Sequence, residues 1–288
     1  MIQNLKNIVA ELTGKLPPPF WAVYVYYFYL ALKEGKTYDE AKDAGQKEVD
    51  RIALKIKYVE YSVDSKFDYS LPVNPVLPGF GVAYPFDAPL LLSETTCNAE
   101  KIFNENEKTQ ASELAAFDRF QSMLNQTQKE IAEYWDDSRI TPPGHLLLIA
   151  LENDLEESKI EVLLYGFVQA AVGCWAVKYS VKQKRPIELK MLLKEKNFEP
   201  YIKTPAHPSC PSGHSTFSSL CASICAGNTK SPIYDPVGKK TFNSWADIAN
   251  EAGMSRIYGG IHFLKDNELG KMLGHNLGKY LLTNYVQK

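Results

Sequence analysis

"HPSCPSGHSTFSSLCASICA", residues 207–226, changes character in its middle. Its first nine residues hold two prolines, one glycine, three serines and two histidines, and a largely apolar run follows. That change predicts a turn feeding a helix start at Ser212 and Gly213. The first N–H groups of a helix have no partner inside it, and the helix dipole adds positive potential there. Ser212 adds a hydroxyl, and Gly213, lacking a side chain, lets a ligand approach the backbone. His214 stands among these donors and titrates near neutrality in water. The stretch therefore predicts an anion held at a helix start beside a group able to move a proton.

Outward from this stretch, helical signals dominate. The chain has 288 residues, 45% hydrophobic and 23% charged, which suits one large core or two abutting ones. Residues 26–56 predict two helices joined at Gly35, with Thr37 capping the second. "FWAVYVYYFYLAL" predicts a buried aromatic helix. Residues 62–89, rich in Pro, Gly and Tyr, predict a long loop, and residues 99–135 two helices. "DDSRITPPGH" predicts a loop before long apolar helices that run to Arg185, and residues 186–213 a second loop. A further loop at 228–241 precedes two closing helical stretches. With no strand signal and no internal repeat, the expected fold is an all-α helical bundle. One domain is expected over residues 1–288, with 1–150 as its N-terminal helical part and 151–288 as the core bundle carrying the site.

The totals exclude several functions. Lys and Arg number 32 against 34 Asp and Glu, so no global field recommends nucleic acid as a partner. The opening residues lack a signal-peptide pattern, and the aromatic window is too short for a bilayer span, so a soluble, cytoplasmic protein without membrane contact is expected. The five cysteines form no disulfide framework and no CxxC pair, and reduced thiols are expected. Apolar surface on the N-terminal aromatic helix is compatible with a homodimer.

Two further constellations accompany the helix start. Lys178 precedes Arg185 by seven residues, about two turns or 10 Å along one helix face. Pro186 is expected to end that helix. Downstream, Ser255-Arg256 is followed by His262 and Asp266. The last two are i and i+4, so the carboxylate can fix the imidazole tautomer and leave the other nitrogen as ligand or nucleophile. Gly259 and Gly260 are expected to break the helix between Arg256 and His262.

Jointly the residues spell K-x6-RP, PSGH and SR-x5-H-x3-D, in that order. This pattern closely resembles the superfamily that joins type 2 phosphatidic acid phosphatases (PAP2), bacterial acid phosphatases and vanadium-dependent haloperoxidases. The resemblance implies a helical-bundle fold and a role for each residue. Lys178, Arg185 and Arg256 would bind the equatorial oxygens of phosphate or vanadate, completed by Ser212 and the Gly213 N–H. His262 would be the apical partner, either the one protein ligand to vanadium or the nucleophile attacking phosphorus, with Asp266 orienting it. His214 would handle protons on the opposite side.

Three local likenesses favour the haloperoxidases. "HPSCPSGH" resembles the bromoperoxidase form of the loop, with a histidine at the position of His207. Trp175 matches an aromatic residue near their halide site, and "AEYWDDSRITPPGHLLLIA" is similar to a segment of bacterial haloperoxidase-like proteins, in which His145 is taken as structural. The expected activity is therefore vanadate-dependent oxidation of halide by hydrogen peroxide. The alternatives are a soluble phosphatase acting on phosphomonoesters through a phosphohistidine at His262, without cofactor, and a non-catalytic phosphate binder. Retention of both His214 and His262 argues against the last.

Overall fold

The computed structural model describes residues 18–55, 59–60, 76–77, 82–83, 95, 98, 107–137, 141–193, 198–228 and 231–284. Ten helices are described: α1 (Pro18–Lys33), α2 (Tyr38–Lys55), α3 (Glu107–Ser122), α4 (Gln126–Tyr134), α5 (Thr141–Glu152), α6 (Glu157–Val181), α7 (Pro186–Leu192), α8 (Gly213–Cys225), α9 (Trp245–Tyr258) and α10 (Leu264–Asn284). The expected all-α bundle is what the described residues form. Gly35, at φ +84°, turns α1 into α2, and Thr37 and Glu40 exchange capping hydrogen bonds at the start of α2. Residues Phe20 to Phe28 of α1 are largely buried, as the aromatic run predicts.

α8 is the centre of the bundle. It packs on α10, α9, α6 and α5, while α1 lies against α5 and α6. The approach of α8 to α10 is set by three glycines, four residues apart, on α10. A Cβ at Gly270 would stand 2.5 Å from Ser212 O, one at Gly274 2.1 Å from Thr216 O, and one at Gly278 2.7 Å from Ser223 Cβ. Only hydrogen at these positions lets the α10 face lie on the α8 backbone. The same closeness allows Ser212 N–H to donate to Asp266 O at 2.9 Å.

One described helical stretch, Glu157–Leu192, is long and apolar enough to cross a membrane. Most of it is buried, and α6 runs between α8, α10 and α1. Its apolar character is accounted for by being wrapped in protein on nearly all sides.

Several local expectations are corrected. Lys178 and Arg185 do not share a helix: α6 stops at Val181, Lys182 takes the left-handed C-cap conformation at φ 53°, and Arg185 is the N-cap of α7. Pro186 therefore starts a helix rather than ending one, since its fixed φ suits the first turn and its missing N–H costs nothing there. The same physics places "TPPGH" in the first turn of α5 instead of a loop. Residues 186–213 accordingly contain α7 and are not all loop.

Strands are also present. β4 (Ile233–Asp235) and β5 (Lys240–Phe242) form an antiparallel hairpin with Ile233 opposite Phe242 and Asp235 opposite Lys240, inside a stretch expected to be loop. Three two-residue strands, β1 (Val59–Glu60), β2 (Val76–Leu77) and β3 (Val82–Ala83), pair in the order β1-β3-β2. Runs of two or three residues are too short for alternation to register in sequence. The remainder of 62–89, residues 99–106 and most of the opening segment lie outside the described residues.

Candidate active site

The turn before α8, the α6–α7 junction and the α9–α10 junction meet at one place. Ser212 caps α8, its Oγ accepting Ser215 N–H at 3.4 Å, and the N–H groups of Gly213 and His214 stand at the helix start. The Trp175 ring lies 3.6 Å from where a Gly213 Cβ would be, so the indole of α6 lines this helix start.

Three cations are buried here. Lys178, Arg185 and Arg256 are 0%, 1% and 2% exposed. Lys178 Nζ donates to Pro208 O at 2.9 Å and Ser209 O at 2.7 Å. Arg185 donates through Nε to His207 O at 3.0 Å and through Nη1 to Ile261 O at 2.8 Å. Arg256 reaches Ala132 O at 2.8 Å, Ser255 Oγ at 2.9 Å and the Asp136 carboxylate at 2.9 Å. Dehydration pushes Lys178 down to about 8, and both arginines down to about 10.

His262 and Asp266 meet, though not on one helical face. His262 precedes α10 and Asp266 lies in its first turn, yet Nδ1 and Oδ2 are 3.0 Å apart. Gly260, at φ +76°, makes the sharp reversal after α9, so the expected helix break is present. Two contacts assign the tautomer. Arg185 Nη1, which can only donate, stands 3.0 Å from His262 Nε2, so Nε2 accepts and the proton sits on Nδ1, facing Asp266. Burial, then the Arg185 and Lys178 charges, push the His262 pKa well below its ordinary value, keeping the ring neutral. Asp266 is pushed up by its own burial, opposed by hydrogen bonds from Ser209 and Phe263.

His214 belongs to the same electrostatic neighbourhood. Burial and the Arg256 charge hold it neutral, and its Nε2–H donates to Trp135 O at 2.8 Å, leaving Nδ1 as the basic nitrogen. Trp175 and His207 pair with ring centroids 5.2 Å apart, and Lys178 Nζ lies 5.9 Å from the Trp175 ring. Burial, followed by Lys178 and Arg185, lowers His207 to about 3.

The structure thus gathers Lys178, Arg185, Ser212, Gly213, His214, Arg256, His262 and Asp266, with Trp175 and His207 alongside. Residues not singled out from sequence complete it. Ser209 binds Asp266, while Ala132 and Trp135 supply carbonyls and Asp136 a carboxylate. Ser209 and Asp136 lie inside the quoted motifs, but backbone carbonyls leave no mark in sequence. The end of α4 that carries these groups is itself fixed: Tyr134 Oη–H donates to Asp235 at 2.6 Å, Trp135 Nε1–H to Glu251 at 3.0 Å, and His145 stacks on Tyr134. His145 is thereby part of the scaffold.

The donor set fits a tetrahedral oxyanion. Three buried cations face two carboxylates, Asp266 and Asp136, of which only Asp266 is buried. A bare cation would want several anionic or imidazole ligands, and among the described residues no group of three His, Cys, Asp or Glu converges to hold one. One neutral imidazole framed by cations suits a metal presented as an oxyanion, such as vanadate, or suits phosphate.

Residues 188–288 match the family model of the VCPO second helical-bundle domain. The fold is similar to that of a bacterial vanadium-dependent iodoperoxidase, 20% identical, with a TM-score of 0.60 over 90% of this chain and 72% of that one. It is also similar to a bacterial vanadium-dependent chloroperoxidase in its holo form, 16% identical, with a TM-score of 0.52 over 64% of this chain and 48% of that one. No curated protein sequence matches. The helical bundle of the described residues is thus the fold of these neighbours, and the segment that matches the family model, residues 188–288, carries the helix start at Ser212 and the Arg256, His262 and Asp266 positions.

Proposed function

We propose that the chain is a vanadate-dependent haloperoxidase, using hydrogen peroxide to oxidise a halide at a vanadate held by His262. The observation that carries the proposal is the His262 Nε2 lone pair, its tautomer fixed by Asp266 at Nδ1, with Arg185 at 3.0 Å, the Lys178 charge acting on the same ring and the buried Arg256 in the neighbourhood of Arg185 and His214. Lys178, Arg185, Arg256 and the Ser212–Gly213 helix start would bind the oxygens. Vanadate, when bound, supplies Lewis acidity that activates peroxide towards halide without a change of oxidation state. His214 Nδ1 takes a proton from incoming peroxide, its other nitrogen being committed to Trp135 O. Lys178, its pKa lowered by burial to about 8, would hold a proton beside the reacting oxygens.

The Trp175–His207 pair supports halide oxidation over phosphate transfer. An aromatic wall next to Lys178 offers a weakly hydrated anion a partly apolar seat with a positive charge at its edge. The neighbour described as an iodoperoxidase supports including iodide among the halides tested.

The phosphatase reading draws on the same Nε2 lone pair, which is equally placed to attack phosphorus and form a phosphohistidine while His214 serves the leaving alcohol. The deciding experiment follows peroxide-dependent bromide and iodide oxidation, and p-nitrophenyl phosphate hydrolysis, with and without orthovanadate. Halide oxidation only with vanadate is the expected result. Hydrolysis that vanadate inhibits, without halide oxidation at any vanadate level, would overturn it in favour of the phosphatase.

A further inference from the structure

Ser209 sits in the turn before Pro211 and is fully buried. Its backbone holds it in place and serves Lys178: the N–H donates to Gln183 O at 2.8 Å, and the carbonyl accepts Lys178 Nζ at 2.7 Å. Its side chain acts elsewhere. Oγ donates to Asp266 Oδ2 at 2.5 Å and lies 3.3 Å from His262 Nδ1. Oδ2 thus gathers three donors, the others being His262 Nδ1–H at 3.0 Å and Phe263 N–H at 2.9 Å.

The Phe263 bond comes from the start of α10, the element that also carries Asp266. The Ser209 bond comes from the loop leading into α8, on the other side of the site. Without the hydroxyl, the carboxylate keeps the Phe263 bond from the start of its own helix and, from the loop, only the weakly donating Cys210 thiol, so it can swing about its side-chain torsions away from the imidazole. His262 would then lose the acceptor that keeps its proton on Nδ1.

We propose that Ser209 is a positioning residue whose hydroxyl pins the Asp266 carboxylate against His262 Nδ1–H and so keeps Nε2 presented to the anion. The backbone contact to Lys178 belongs to the same residue, so one short turn sets both the His262 imidazole and the Lys178 ammonium. The inference deepens the proposed function, but the tautomer is a property of the protein before any substrate arrives and is read without turnover.

The test uses the full chain labelled with 15N-histidine, whose five histidines keep the spectrum simple. In the wild-type protein His262 is expected to show a protonated Nδ1 and an unprotonated Nε2. Ser209→Ala removes the hydroxyl and keeps the backbone contacts. It should give a mixed tautomer signature and weaken orthovanadate binding roughly tenfold or more, as loss of a partner behind a ligating histidine does. Ser209→Thr, which keeps a hydroxyl, should recover the wild-type signature. A Ser209→Ala protein with an unchanged tautomer and unchanged vanadate affinity overturns the proposal, whichever reaction the site performs. Should Ser209→Ala fail to fold, the wild-type protein still decides: the Ser209 hydroxyl proton must exchange slowly with water, and fast exchange overturns the proposal.

Discussion

Arg185 Nη1 lies 3.0 Å from His262 Nε2, so the guanidinium proposed to bind an oxyanion is in direct contact with the nitrogen proposed to bind its central atom. An entering anion must slide between the two, and the planar fork of arginine is suited to open on one edge while its Nε stays on His207 O. Arg185→Lys keeps the charge but loses the fork. Orthovanadate affinity, measured by titration of the purified protein, should fall roughly 10- to 100-fold.

His262→Ala removes the nitrogen on which either reaction depends. Both vanadate-dependent halide oxidation and phosphoester hydrolysis should drop to background. Phosphate binding by the three cations should persist in weakened form, visible by calorimetry.

Lys178 makes anion binding pH-dependent. Its pKa is about 8, below the ordinary lysine value, so the ligand-free protein loses this charge as pH rises through 8. Sulfate, whose own charge is constant over this range, is the cleaner probe. Its affinity should hold from pH 6 to 7.5 and then fall, approaching about tenfold per pH unit above 8. Lys178→Gln should bind more weakly throughout and show no such bend.

The α10 glycines separate stability from function. Gly270→Ala and Gly278→Ala both force a Cβ into α8 and should cost about 1–3 kcal/mol, measured by denaturant unfolding. Gly270 abuts Ser212 O, whereas Gly278 abuts Leu220 and Ser223, further along α8. Only Gly270→Ala should also weaken sulfate binding.

Tyr134→Phe tests the support beneath Arg256 and His214. It strips a hydrogen bond from the buried Asp235 and should cost about 1–3 kcal/mol. Because α4 and its C-cap carry the Ala132 and Trp135 carbonyls, a loss of anion affinity is expected beside the loss of stability.

Much of the site was legible in the sequence because its chemistry is carried by side chains at fixed spacings. The turn into α8, with its serine cap and glycine, announces itself through residues that have few other uses. What escaped reading is either backbone or brief. The spacing of Lys178 and Arg185 suggested one helix, yet a left-handed residue at Lys182 ends α6, and no glycine marks the place. Pro142, Pro143 and Pro186 look like helix breakers and are in fact helix starters, a distinction that depends on which side the chain leaves. The carbonyls of Ala132 and Trp135 could be any residue's. Ser209 stood in the quoted stretch, but its partner is 57 residues away, and only the packing of α10 on α8 joins them.

The carbonyl oxygens that receive Lys178, Arg185 and Arg256 also act as a threshold for admission. A visitor must offer these cations better acceptors than Pro208, Ser209, Ile261 and Ala132 already do. A multiply charged tetrahedral ion offers acceptor oxygens to several of these cations at once, which a single-atom halide or a neutral alcohol does not. Discrimination among anions is therefore built into the competition between guest and main chain.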